Sequence, residues 1–133
     1  MAVNLLGIDV GEKRVGVARV SLPARLPEAL VTLKNDESFI DNIKKIVSEY
    51  QIDTLIVGLP RNLNGQETTQ SATVRHFCQV FLKPLGLPII WQDETLSSRL
   101  AEDHMKGQNY KKPDIDRYAA AIILEDYLLS SKI

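Results

Sequence analysis

Carboxylates stand at three points along this chain where an extended apolar run ends or a helix begins. Oxygen ligands of that kind suit a hard divalent cation. Asp9 closes the run Leu5-Leu6-Gly7-Ile8, and a carboxylate is costly to bury there unless it is paired or bound to a cation. Taken alone, it is better explained as the acceptor of hydrogen bonds from the Gly11-Glu12-Lys13 turn. Asp93 and Glu94 follow a second apolar run, where an anionic cap on the next helix is the simplest role. Glu94 is the expected ligand, with Asp93 as the alternative or as an outer partner. Asp114 and Asp116 bracket the start of the last helix, where capping is again a sufficient explanation. Each acid is weak evidence alone. Three acidic sites able to converge point to a centre for Mg²⁺ or Mn²⁺ that would activate water against a phosphodiester.

Basic and amide groups lie beside these acids. Lys13 and Arg14 follow Asp9, while Arg61 and Asn62 follow Gly58-Leu59-Pro60. On short loops next to the carboxylates, these four are the expected contacts to substrate phosphates, which position a backbone without reading its sequence. Arg99, Lys111 and Lys112 read as ordinary solvated charge. Zinc is disfavoured, because His76, His104 and Cys78 show no ligand spacing. Both histidines read as surface residues, and Cys78 as core filler without a nearby base. Phosphate-binding and dinucleotide-binding glycine loops are missing, as is the nucleophile elbow of serine hydrolases.

The elements that must position these groups follow from apolar periodicity. Residues 3–9 read as a buried strand, residues 15–20 as a valine-rich second strand, and residues 29–33 as a third, together an antiparallel meander. Asn35 or Asp36 can cap a helix whose buried face is Phe39, Ile40, Ile43, Ile46, Val47 and Tyr50. Residues 53–58 hold Leu55-Ile56-Val57, a run typical of a strand covered on both faces. Residues 60–65 read as a polar loop. A helix over residues 67–82 turns Val74, Phe77, Cys78 and Phe81 inward, and residues 88–91 form the next strand. Thr95 can cap a short helix, and residues 105–113 are polar. The last helix carries Ile115, Ala119, Ile122, Ile123 and Tyr127. The expectation is α/β, a mixed five-stranded sheet in which a meander is followed by parallel strands flanked by helices. Function in such sheets gathers at the carboxyl ends of parallel strands, where Asp9, the 58–62 loop and Asp93-Glu94 all fall.

With 133 residues, 44% hydrophobic and 25% charged, a single domain over 1–133 is expected. No apolar run reaches the ~20 residues of a membrane span. The opening residues lack a basic leader, so a signal peptide is not expected. A lone cysteine agrees with a reducing cytoplasm. The net charge of −1 carries no basic footprint, although a carboxylate centre can mask local positive patches.

Residues 6–18, Leu-Gly-Ile-Asp-Val-Gly-Glu-Lys-Arg-Val-Gly-Val-Ala, resemble the opening of the YqgF (RuvX) family of ribosomal RNA maturation nucleases, also called Holliday junction resolvase-like. Residues 57–65 resemble its second block, residues 93–98 its third, and Asp116 with Ala119-Ala120 and Ile123-Leu124 its fourth. The resemblance implies a ribonuclease H-like fold with catalytic, metal-binding acids at Asp9, Glu94 and Asp116. It also implies a role in maturing the precursor of 16S ribosomal RNA, with RNA favoured over DNA, a pre-ribosomal particle as partner, and a monomer or homodimer. Thr95 stands where the family usually carries an arginine, and Arg99 is the only nearby replacement. The competing readings are a resolvase of branched DNA, which favours a symmetric dimer, and a non-catalytic RNA-binding or transcription-associated module. An actin- or sugar-kinase-like ATPase would hold nucleotide between two such domains, and 133 residues supply one.

Overall fold

The computed structural model describes residues 3–94 and 112–130. Three antiparallel strands open the chain: β1 (Val3–Val10), β2 (Arg14–Leu22) and β3 (Glu28–Lys34). Helix α1 (Phe39–Glu49) leads to β4 (Thr54–Leu59), which pairs parallel to β1. Helix α2 (Thr69–Phe77) continues into a wider turn over Cys78–Leu82 and a short 3₁₀ segment, Lys83–Leu85. Strand β5 (Ile89–Asp93) then pairs parallel to β4, and helix α3 spans Lys112–Ser130. The sheet order is β3-β2-β1-β4-β5. This is the expected meander followed by parallel strands. No helix among the described residues is long and apolar enough to cross a membrane.

Strand alternation sorts the apolar residues onto two faces. Leu6, Ile8, Val10, Val15, Val17, Leu55 and Val57 face Phe39, Ile43, Val74, Phe77, Cys78 and Leu82. Leu5, Ala18, Val20 and Ile56 face Ala120, Ala121, Ile123, Leu124 and Leu128 of α3. Fully buried side chains such as Ile8, Phe39 and Ile43 each contribute about 1.5–3 kcal/mol of apolar transfer free energy.

Two helix starts differ from expectation. Neither Asn35 nor Asp36 is the N-cap of α1. The Asp36 carboxylate instead accepts from the Ser38 N–H and hydroxyl, and the Asn35 amide donates to the Gly11 carbonyl at 2.8 Å. Helix α2 begins two residues later than residue 67, because Thr68 and Ser71 form a reciprocal capping box. The Ser71 hydroxyl also donates to the Pro60 carbonyl, which fastens the helix to the loop after β4.

The second face has a constraint that periodicity does not reveal. A Cβ on Gly16 would lie 1.9 Å from the Asp116 carbonyl oxygen, and one on Gly7 would lie 2.8 Å from that of Ala120. Helix α3 therefore rests its backbone on bare strand. Gly16→Ala must push the helix off the sheet, and overpacking of this kind costs ~1–3 kcal/mol, occasionally more. Urea unfolding of Gly16→Ala is expected to show a loss at or above the top of that range. Gly65→Ala, where nothing lies within 4 Å but φ is +77°, should lose about 1–2 kcal/mol from the left-handed backbone alone. Equal losses would show that close approach of α3 is not what Gly16 serves.

Candidate active site

Asp9 is the penultimate residue of β1 and lies on the α3 face of the sheet, because Leu5 and Gly7 of the same parity face α3. Its antiparallel partner on β2 is Gly16. On the other side β4 runs parallel in the register Ile8–Val57, so the next step along both strands sets Gly58 beside Asp9. The carboxylate is thus flanked by two glycines, and each makes room for another acid. Gly16 carries the backbone of Asp116. A Cβ on Gly58 would lie 2.6 Å from Glu94 Oε2 and 2.5 Å from Ile123 Cδ1.

Glu94 follows the last residue of β5, and its N–H donates to the Leu59 carbonyl at 3.2 Å. That bond turns its side chain back over Gly58. It is 8% exposed, and Oε2 has no hydrogen-bond partner. Burial, followed by the charges of Asp9, Asp93 and Asp126, raises its carboxyl pKa well above the ordinary value. A buried acceptor left without a donor is uncommon in a folded protein and calls for an explanation. The donor set around it is oxygen from carboxylates, which fits a hard divalent cation and no softer metal. Asp93, the alternative ligand, is exposed.

Asp116 occupies the first turns of α3, with its side chain 17% exposed. Its Oδ2 accepts from Arg14 Nε at 2.9 Å. The groups acting on Glu94 are Asp9, Asp93 and Asp126. Asp126 was not legible as part of the site, since in sequence it is one acid on the polar side of a helix. Among the described residues, no three potential ligands form a ready cation cage. Asp9 and Glu94 are brought together, while Asp116 lies across Gly16 and is tied to Arg14. The side chain of Asp114, and Thr95, Arg99, His104, Lys111 and the side chain of Lys112, lie outside the described residues.

The expected phosphate contacts also take definite positions. Lys13 is exposed in the turn after Asp9, a turn closed by Gly11 N–H to the Arg14 carbonyl at 2.9 Å. Arg61 donates from Nη1 to the Gly65 carbonyl at 3.0 Å. The Asn62 side chain accepts from the N–H groups of Asn64 and Gln66. Within the protein, then, Arg14 orients an acid, and Arg61 and Asn62 shape their own loop. A cleft of about 600 Å³ opens nearby between Val10, Gly11 and α2, lined by Phe77 and His76 among others. Val10 faces α1 and α2, so the cleft lies across the sheet from Glu94. Cys78 is buried, and burial pushes its thiol up to about 12, which removes it as a nucleophile.

Residues 3–130 match the RuvX family, described as Holliday junction resolvase. A protein of Thermoanaerobacter pseudethanolicus named "Putative pre-16S rRNA nuclease" is 34% identical over 137 residues, covering 98% of this chain and 99% of its own. One of the same name from Gloeothece citriformis is 39% identical over 132 residues, covering 95% of this chain and 87% of its own. Among solved structures, Thermus thermophilus RuvC superposes with a TM-score of 0.55 at 12% identity, covering 92% of each chain. RuvC of the same organism in complex with a Holliday junction substrate gives 0.54 at 14% identity, covering 92% of this chain and 91% of its own. At these identities the likeness is one of fold, and that fold is the ribonuclease H-like, RuvC-type sheet and helix arrangement.

The raised pKa of Glu94 has a definite consequence for stability. The folded state keeps a proton that the unfolded chain releases above the ordinary carboxylate range. Folded protein therefore binds more protons, and stability falls as pH rises. In chelator, the urea midpoint of the wild type is expected to decline as pH rises above the ordinary carboxylate range, with Glu94→Gln flatter and more stable at higher pH. Parallel pH profiles for the two proteins would remove this account of Glu94.

Proposed function

The chain belongs to the RuvX family of Holliday junction resolvases, and from that premise we propose a metal-dependent nuclease centred on Asp9 and Glu94. The chain is a hydrolase acting on phosphodiester bonds, as its family and its relatives named pre-16S rRNA nuclease are described. The observation that carries the metal reading is the buried, partnerless Oε2 of Glu94 held over Gly58 beside Asp9. Mg²⁺ or Mn²⁺ bound there would lower the pKa of an attacking water and offset charge on the leaving oxygen.

The chain's own residues divide the remaining work. Asp9, fixed at the end of a central strand, supplies the shared carboxylate. Glu94 supplies a second: its burial disfavours the charged form in the protein alone, and a bound cation would favour that form. Asp116 is the third ligand, and Arg14 holds its carboxylate in a set orientation until it is needed, as outer partners do for metal ligands. Lys13 remains exposed for a substrate phosphate, while Arg61 and Asn62 shape the loop that follows β4. The substrate best supported is the precursor of small-subunit ribosomal RNA, on the names of the relatives, cut by a cytoplasmic single-domain protein on a pre-ribosomal particle. The family description favours branched DNA as the second substrate.

The deciding assay supplies structured RNA from a 16S precursor end and a four-way DNA junction, each with Mg²⁺ or Mn²⁺. Wild type is expected to cut the RNA, and chelator to stop it. Asp9→Asn and Glu94→Gln should each lose more than the ~10–100-fold typical of outer-shell partners, with Arg14→Ala falling inside that range. Saturating Mn²⁺ should also raise the unfolding midpoint of wild type but not of Glu94→Gln. Cleavage of the junction alone would move the substrate to DNA. Activity indifferent to chelator and to both acid substitutions would end the metal mechanism.

A further inference from the structure

Immediately after β4 the chain makes a tight turn whose construction serves no purpose in the chemistry above. Gly65 N–H donates to the Asn62 carbonyl and Asn62 N–H to the Gln66 carbonyl, both at 2.9 Å. The Asn62 Oδ1 accepts from two further N–H groups of the turn, and Arg61 closes it onto the Gly65 carbonyl. A bridge between Arg61 and Glu67 forms its base. Glu67 is in turn held by Arg75 through contacts of 2.7 and 3.0 Å. At the first central position of this braced turn stands Leu63, 77% exposed. A single exposed leucine on a mobile loop is ordinary. Here the backbone on both sides is hydrogen-bonded, so the leucine is presented from an ordered turn. Leu26 and Leu129 are as exposed. They belong to the opposite end of the sheet, since Leu26 follows β2 beyond its Leu22–Val3 pair and Arg25 donates to the Leu128 carbonyl.

Leu63 is four residues beyond Leu59, whose carbonyl receives the Glu94 N–H. Four residues span at most about 14 Å. Successive nucleotides of a duplex strand rise about 3.4 Å, so a base met by this side chain would lie within about four nucleotides of a bond held at Glu94. The neighbours at the tip, Asn62, Asn64 and Gln66, are uncharged hydrogen-bonding groups. Apolar side chains, leucine among them, are what some proteins insert between base steps to unstack and kink a duplex, with Asn and Gln among the groups that contact the groove beside them.

We propose that Leu63 is a wedge that enters the base stack of a paired nucleic acid beside the cut and opens it for Asp9 and Glu94. The inference rests on the nuclease reading for its place near the cut, but not for its test. Duplex RNA from a 16S precursor end and a four-way DNA junction, each carrying 2-aminopurine one to four positions from the candidate cleavage bond, report unstacking as a rise in fluorescence. The measurement uses Asp9→Asn protein in calcium buffer, so it reads binding and needs no cleavage. Asp9→Asn is expected to raise the fluorescence of at least one probe, and which probe responds separates RNA from DNA. Adding Leu63→Ala should abolish the rise, and Leu63→Phe should keep it. In the Asp9 wild-type background, Leu63→Ala should cut paired substrate about tenfold more slowly, and prior unpairing of four nucleotides at the site should restore most of that rate. An equal rise with Leu63→Ala, or no rise with either protein, overturns the wedge. A wild type that cuts nothing while Leu63 still governs the fluorescence would sink the nuclease reading and leave the wedge standing.

Discussion

Helix α3 lies so close to the sheet that its backbone carbonyls occupy the space where side chains of β1 and β2 would otherwise stand. Gly16 and Gly7 make that approach possible, and Gly58 does the same for Ile123 and the Glu94 carboxylate. The three glycines lie on adjacent strands and together form a floor beneath α3. Leu5, Ala18, Val20 and Ile56 surround that floor and close on Ala120, Ile123, Leu124 and Leu128. The apolar contacts supply most of the free energy, and the glycines decide the distance at which it is gained. Distance is what the active site depends on. A helix one side chain farther out would carry Asp116 away from Asp9 and would leave Glu94 in water, where its desolvation would vanish.

The same floor explains why one carboxylate is poised and another is occupied. Glu94 is covered by Ile123 and faces the charges of Asp9, Asp93 and Asp126, so in the protein alone its charged form is disfavoured. Asp116 faces a cation already supplied by the chain, Arg14, at 2.9 Å. Two acids of one proposed centre thus stand in opposite surroundings, one desolvated among like charges and one against an arginine. A divalent cation bound between them would favour the charged form of Glu94 and compete with Arg14 for Asp116.

Much of this was legible in the residues. Alternating and continuous apolar runs place all five strands within one or two residues of their observed limits, and the position of Asp9 at a strand end follows directly from Leu5-Leu6-Gly7-Ile8. Asp93 and Glu94 were legible for the same reason, as the acids that follow Ile89-Ile90-Trp91-Gln92, with Glu94 preferred and Asp93 kept as the alternative. What could not be read is anything set by partners far apart in the chain. Arg14 reads as a phosphate contact beside Asp9, and only the folded chain brings it to Asp116, 102 residues away. Asn62 reads as a polar loop residue ready for substrate, whereas its oxygen is spent on the turn that carries Leu63. The start of α1 was misplaced because Asp36 bonds to Ser38 rather than to the first turn of the helix. Side chains such as Asn and Asp choose between several nearby N–H groups, and sequence does not rank them.

The arrangement of rigidity follows the division of labour. The acids stand on strand ends and on a helix pressed against strand, where packing leaves little freedom. The loop that carries Leu63 is ordered by hydrogen bonds to its own backbone and to the Asn62 side chain, with Arg75 of α2 holding Glu67 at its base. Such a turn can be altered at its tip without disturbing Gly58 or Glu94, because its bracing converges on Asn62 and Glu67 rather than on the sheet. Chemistry and substrate engagement are therefore physically separable in this protein. The glycine floor holds the carboxylates through α3, while the braced turn extends from the end of β4, and the Leu59 carbonyl to Glu94 N–H bond is where the two supports meet.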